Sequence, residues 1–74
     1  MLKGVRAEDL KVIAGRGGSF HLDARDYDAE DLKVMAGRLG PGGILMLSHS
    51  ECLDVEDMKV IAGRTGDGAT ALFL

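Results

Sequence analysis

The residues best suited to chemistry lie close together in one polar segment. Between residues 48 and 54 the chain carries His49, Glu51 and Cys52. Imidazole, carboxylate and thiolate groups are the usual ligands of zinc, and a histidine can also activate a cysteine as a nucleophile. The Ser48–Asp54 loop is therefore the candidate site for a bound ligand, a metal ion or a small thiol enzyme.

The residue counts limit this chemistry. The chain has one cysteine and two histidines, so a closed structural zinc site of the usual Cys/His kind cannot be built within one chain. No Ser-His-Asp arrangement or pair of carboxylates stands out. The alternative interpretation is an ordinary polar loop, and on that interpretation the sequence predicts no cofactor, no metal site and no catalysis.

A glycine-rich segment, Gly40-Pro41-Gly42-Gly43, raises the question of a phosphate-binding loop. The segment follows a predicted helix and precedes a predicted strand, whereas a phosphate loop runs from strand to helix. It also lacks the lysine and the serine or threonine that such loops use. We interpret it as a turn.

A segment of nine residues occurs three times in the chain and predicts the helices that position these candidate residues. It begins at Glu8 (EDLKVIAGR), at Glu30 (EDLKVMAGR) and at Glu56 (EDMKVIAGR). The copies start 22 and then 26 residues apart (8 to 30, 30 to 56) and differ only by Leu/Met and Ile/Met exchanges. Spacings of this size are typical of stacked repeats.

Each copy predicts a short amphipathic helix. In the first copy, Leu10, Ile13 and Ala14 share one apolar stripe, while Asp9 and Lys11 flank it. Asp28 and Asp54 occupy the N-cap positions of the second and third helices, where a carboxylate could accept from free backbone N–H groups; Arg6 holds that position in the first. The predicted helices cover about 7–16, 29–38 and 55–64.

Three strands follow the three helices. Residues 19–25 alternate between apolar and polar, residues 44–47 are apolar on both faces, and residues 70–74 form a last apolar strand. Strands joined by helices of this length run parallel, and the right-handed crossovers place all helices on one face of the sheet. The sequence predicts an α/β fold of order α-β-α-β-α-β, solenoid-like, in one domain, 1–74. Its tandem helix–strand repeats are expected at about 5–25, 27–50 and 53–74.

In period and element content this arrangement resembles an αβ solenoid of the leucine-rich-repeat kind. The L-x-x-L-x-L-x-x-N pattern of that family is absent, because no asparagine follows Leu45-Met46-Leu47-Ser48. No family is assigned on this resemblance.

One face of the predicted sheet remains uncovered. We expect six residues to face the helices: Phe20, Leu22, Leu45, Leu47, Ala71 and Phe73. The opposite face, called the bare face below, then carries Ile44, Met46, Leu72 and Leu74, with His21 and Asp23 on the first strand. A shift of one residue in register would exchange the two faces. An uncovered apolar patch of this kind normally marks an interface.

The helix layer offers a second candidate interface. Val12, Val34 and Val60 fall opposite the apolar stripe of their helices and would line up as a valine row. The alternative is that exposed single valines are common and that the repetition copied one of them.

Composition excludes several classes of partner. Nine basic and 12 acidic residues give a net charge of −3, whereas nucleic-acid binding favours a basic face. No segment approaches the roughly 18 apolar residues of a membrane span, and no secretory signal precedes the first helix. A single cysteine favours a reducing compartment, so we expect the protein in the cytoplasm.

These observations predict a small αβ-repeat protein-interaction module. A chain of this size buries only about 60% of its unfolded surface, so it gains much from a partner. We expect a homo-oligomer, most simply a two-fold dimer, that associates through the bare face. The alternatives are a ligand- or metal-binding protein or small thiol enzyme using the Ser48–Asp54 loop, and a small protein that works only when docked to a larger protein partner.

Overall fold

The computed structural model describes all 74 residues and shows three helices and three strands. An α/β domain with a parallel sheet, as the sequence predicts, is confirmed. The helices are α1 (Ala7–Gly15), α2 (Ala29–Arg38) and α3 (Val55–Arg64). The strands are β1 (Phe20–Asp23), β2 (Ile44–Ser48) and β3 (Thr70–Phe73), and 3-10 turns follow β1 at Ala24–Asp26 and β2 at Ser50–Cys52.

The sheet has the order β1-β2-β3, and both strand pairs are parallel. In the middle of the sheet Phe20 pairs with Leu45, and Leu45 pairs with Ala71. Helix α2 packs between α1 and α3 in the same order as the strands. The central strand therefore has a hydrogen-bonded neighbour along each edge.

The first strand is shorter than the sequence predicts. The alternation from residue 19 to residue 25 suggests seven residues, but β1 ends at Asp23. The Asp23 carboxylate accepts from the Arg25 backbone N–H at 2.9 Å and turns the chain into the 3-10 turn. This local side-chain bond competes with the next bond of the sheet and ends the strand.

The core lies between the sheet and the helices. Phe20, Leu22, Leu45 and Leu47 are buried, and Ala71 and Phe73 of the last strand are half-buried against the same core. The predicted helix-facing side of the sheet is therefore confirmed, and the register is not shifted by one residue. Because side chains alternate along a strand, the intervening residues lie on the opposite face.

The helix starts differ from the prediction in one respect. Arg6, Asp28 and Asp54 do occupy the N-cap positions, each with an extended backbone. The Asp28 and Asp54 side chains, however, accept no capping hydrogen bond, so the predicted carboxylate caps are wrong. Each N-cap carbonyl instead accepts the first helical bond, as Asp54 does from the Met58 N–H at 3.0 Å. The two carboxylates act on their helices only through the helix dipole.

The apolar stripe of α1 is incomplete. Ile13 was expected in the core, but it is 41% exposed, whereas Met35 and Ile61, at the same position of α2 and α3, are fully buried. Helix α2 packs against α1, and α3 packs against α2, but no helix of the chain lies on the corresponding side of α1. The exposure of Ile13 therefore follows from its place at the end of the layer and not from its helical phase.

Candidate functional site

Asp23 is the most enclosed charged group of the molecule. Its side chain is 1% exposed and lies at the carboxyl end of β1. Two guanidinium nitrogens of Arg25 bind the carboxylate: Nη2 lies 2.7 Å from Oδ2, and Nε lies 3.0 Å from Oδ1. Lys3 Nζ lies 3.3 Å from Oδ2. These donors, Arg25 first, hold the pKa of the Asp23 carboxyl well below its usual range.

The predicted ligand His49 lies beside this carboxylate. Its Nε2 is 3.9 Å from Asp23 Oδ2, and its Nδ1 is 3.6 Å from Glu51 Oε1. His49 is also the only residue other than glycine with a positive φ, 57°, which turns the chain back sharply after β2. Since Arg25 and Lys3 already use the Asp23 oxygens, this carboxylate is an ion-pair partner and not a free base.

The other residues of the Ser48–Asp54 loop separate into a buried and an exposed part. Ser50 is buried, and both its Oγ and its backbone N–H donate to the Leu74 carbonyl, at 2.8 and 3.1 Å. Cys52 is exposed two residues later. The loop therefore supports the end of β3 and is not simply solvent-facing. Across the molecule, no group of three or more His, Cys, Asp or Glu side chains converges in a way that could hold a metal ion.

The bare face carries the exposed apolar residues that the sequence placed there. Ile44, Leu72 and Leu74 are 39%, 38% and 59% exposed, and Met46 between them is half-buried. At one side of this patch His21 Nε2 and Ser48 Oγ share a hydrogen bond. Asp23, which was expected on the same face, is instead covered by Lys3 and Arg25 and adds no open charge to the patch.

The valine row is unevenly exposed. Val12 is 48% exposed, whereas Val34 and Val60 are half-buried. The three residues therefore do not form a uniform apolar strip on the helix layer. The bare face is the more continuous of the two candidate interfaces.

Lysines join neighbouring helices in a pattern called the lysine ladder below. Lys11 Nζ lies 2.9 Å from Asp31 Oδ1 on the next helix and 2.8 Å from Glu8 Oε1 on its own. Lys33 repeats both contacts, with Asp57 at 2.9 Å and Glu30 at 2.8 Å. Lys59 has only its own-helix partner, Glu56, at 3.0 Å.

The two complete positions of the ladder are shielded from water. The Lys11 and Lys33 side chains are 12% exposed, and that of Lys59 is 67% exposed. Hydrogen bonds to Glu8 and then Asp31 raise the pKa of Lys11, and bonds to Glu30 and then Asp57 raise the pKa of Lys33. These carboxylates therefore stabilise the charged form of both lysines.

The sequence alone did not reveal the bonds between helices. The pattern that could have revealed them is the position of Asp9 and Lys11 on opposite sides of the apolar stripe, copied in each segment. Parallel helices in sequence order bring the lysine side of one copy against the aspartate side of the next.

The ladder leads to a stability prediction. Lys33→Met keeps most of the side chain's apolar length but leaves Asp57 and Glu30 without their shared cation. We expect it to lower the melting temperature clearly more than Lys59→Met, which removes one solvent-exposed pair of small value. Thermal unfolding followed by circular dichroism at low salt compares the two variants. Equal losses would contradict a role for the bonds between helices.

Comparison with known proteins adds no relative. The chain matches no protein-family model, and neither curated proteins nor solved structures are significantly similar to it. None of the three helices has the length and apolar character needed to cross a bilayer.

Proposed function

We propose that this protein is a small αβ-repeat interaction module that binds a second copy of itself through the bare face. The observation that carries the proposal is the exposure of Ile44, Leu72 and Leu74 together on one side of the sheet. The tandem, solenoid-like interpretation is part of the proposal. It is supported by the three near-identical segments and by the matching order of strands and helices.

The chemistry of the bare face favours association by apolar burial. The central residues of the patch carry no charge, and at its side His21 Nε2 and Ser48 Oγ already bond to each other. Removing this surface from water therefore desolvates few polar groups, chiefly the second ring nitrogen of His21 and the hydroxyl of Thr70, which pairs with Ile44 in the sheet. Each large apolar side chain that becomes buried contributes about 1.5–3 kcal/mol.

A second copy is the partner that fits best on charge. On the helix layer each of three glutamates, Glu8, Glu30 and Glu56, lies beside a lysine. A strongly charged partner would therefore meet both attractive and repulsive charges on that layer. The bare face is uncharged, and two copies can meet on it without repulsion between like charges. A two-fold axis then gives both subunits the same contact and closes the assembly at a dimer.

Ile44→Lys tests this proposal, because Ile44 lies on the central strand, is exposed and makes its backbone bond to Ser19 Oγ independently of the side chain. We expect the wild-type chain to have twice the monomer mass by light scattering at micromolar concentration, and Ile44→Lys to be monomeric and folded. Val55→Lys makes the same charge change at an exposed apolar residue of α3 and should leave the dimer intact. A wild-type monomer, or equal masses for both variants, would refute the bare-face contact.

A further inference from the structure

The lysine ladder leaves unmatched groups at the two ends of the helix layer. Asp31 and Asp57 each receive the lysine of the preceding helix, but Asp9, at the same position of α1, is exposed and has no cation within 4 Å. At the other end Lys59 has no aspartate beyond it. One end therefore lacks the lysine that the other end offers.

The apolar residues show the same complementarity. Ala14 and Ala36 are fully buried, but Ala62, at the same position of α3, is exposed. In the opposite sense Ile13 is exposed on α1, whereas its counterparts on α2 and α3 are fully buried. The open side of α3 thus lacks the neighbour that covers α1 and α2, and the open side of α1 lacks the neighbour that covers α2 and α3.

We propose that a second copy of this chain docks end to end, with α3 of one copy against α1 of the next and Lys59 bonded to Asp9. The contacts α1 to α2 and α2 to α3 are a template for it within the molecule. The segments that would meet, EDMKVIAG and EDLKVIAG, differ from those that meet inside the chain only by Leu/Met and Ile/Met exchanges. This contact uses other residues than the bare face and does not depend on it.

Residues 2–5 regulate access to the α1 end. The Leu2 N–H donates to the His21 carbonyl at 2.8 Å on the free edge of β1, and Lys3 Nζ bonds Asp26 at 3.1 Å. The Tyr27 hydroxyl donates to the Val5 carbonyl. For the incoming β3 to pair with β1, the first residues must leave this edge, which loses one backbone bond and both contacts of Lys3, the exposed pair with Asp26 and the 3.3 Å contact with Asp23. Deleting residues 1–3 should therefore strengthen the association several-fold.

The contact joins two different surfaces, so it does not close at two copies. Heterologous contacts of this kind generate rings or open chains of subunits. Ile44→Lys, which lacks the bare-face contact and should be monomeric at micromolar concentration, should therefore exceed the mass of a dimer when its concentration is raised well above that range.

A carbodiimide that joins a carboxylate directly to a nearby amine tests the contact. Within one chain α2 separates Asp9 from Lys59, so a link between them reports two copies, and a mixture of 15N-labelled and unlabelled protein proves it by mass. The bonds Lys11 to Asp31 and Lys33 to Asp57, both 2.9 Å, are built-in positive controls. We expect the Asp9–Lys59 link in wild type and in Ile44→Lys.

Charge reversal makes the test specific. Lys59→Glu and Asp9→Lys should each weaken end-to-end association about tenfold, and an equimolar mixture of the two variants should restore it, because opposite charges then meet at every junction. Ala62→Arg, at an exposed residue, should block the contact sterically without unfolding the monomer. Arg38→Glu, the same charge reversal on exposed Arg38 of the middle helix, should change nothing.

Three results would overturn the end-to-end contact. They are the lack of an Asp9–Lys59 link when both control links form, a mixture of charge variants that associates no better than either alone, and no gain on deleting residues 1–3. None of these depends on the bare face, since Ile44→Lys removes that contact and keeps both ends. If Ile44→Lys loses the dimer but still forms the Asp9–Lys59 link, the bare face and the end-to-end contact are independent of each other.

Discussion

Leu45→Ala should remove most of the stability of this protein. Leu45 is fully buried in the middle of the central strand, where it pairs with Phe20 on one side and Ala71 on the other. Truncating a buried leucine costs about 2–5 kcal/mol. A single core in a domain of this size rarely supplies more than about 3–5 kcal/mol. Urea unfolding followed by circular dichroism should show a partly or fully unfolded variant at 25 °C.

Ile44→Ala is the matched control, one residue earlier in the same strand. Its side chain is 39% exposed on the bare face, so in the monomer its truncation should cost far less than that of Leu45. The comparison is made below the concentration at which copies associate, because the bare-face proposal makes Ile44 an interface residue. Similar losses of stability for Leu45→Ala and Ile44→Ala would contradict the assignment of one buried and one exposed face of the sheet.

Asp23→Asn should lower stability and remove part of its dependence on pH. The folded protein holds the pKa of Asp23 below its usual value, so the unfolded chain binds a proton first as the pH falls. The ion-pair contribution is complete above about pH 4, the usual range of a carboxyl, and is lost as the pH falls from there through the lowered value. Asparagine cannot form the charged fork with Arg25, so it lacks this contribution at every pH.

Melting temperatures measured from pH 2 to pH 7 check this prediction. The wild type should lose stability more steeply below pH 4 than Asp23→Asn, and at pH 7 the variant should melt several degrees lower. Asp26→Asn is the control, because Asp26 is 43% exposed and bonds only Lys3. Parallel curves for wild type and Asp23→Asn would mean that another group dominates the acid unfolding.

Much of the fold could be predicted because it follows from short-range patterns in the sequence and from the order of the elements. The copied segments fixed three helices, and the apolar run from Ile44 to Leu47 identified the central strand. Parallel strands and helices on one face then follow from chain connectivity. Alternation along the strands also predicted which residues face the helices, since only one register buries both Leu22 and Leu47.

Features that depend on neighbours in space were missed. Helical phase puts Ile13 in the core, but its exposure depends on whether another helix lies beside α1. A cap position is set by backbone direction, while the capping bond also needs the side chain to reach a free N–H group, which that of Asp54 does not. The Asp23 cluster brings in Lys3 from 20 residues earlier in the chain, and pairing of that kind leaves no periodic trace in a sequence.

The side-by-side order of the strands also determines how the molecule opens. Contacts run from β1 to β2 to β3 and from α1 to α2 to α3, so each outer unit is held by one neighbour and the middle unit by two. On the solenoid-like interpretation proposed above, stability is close to a sum of unit and boundary terms. Fraying therefore starts at either end, and the amides of β2 are the last to exchange with solvent deuterium.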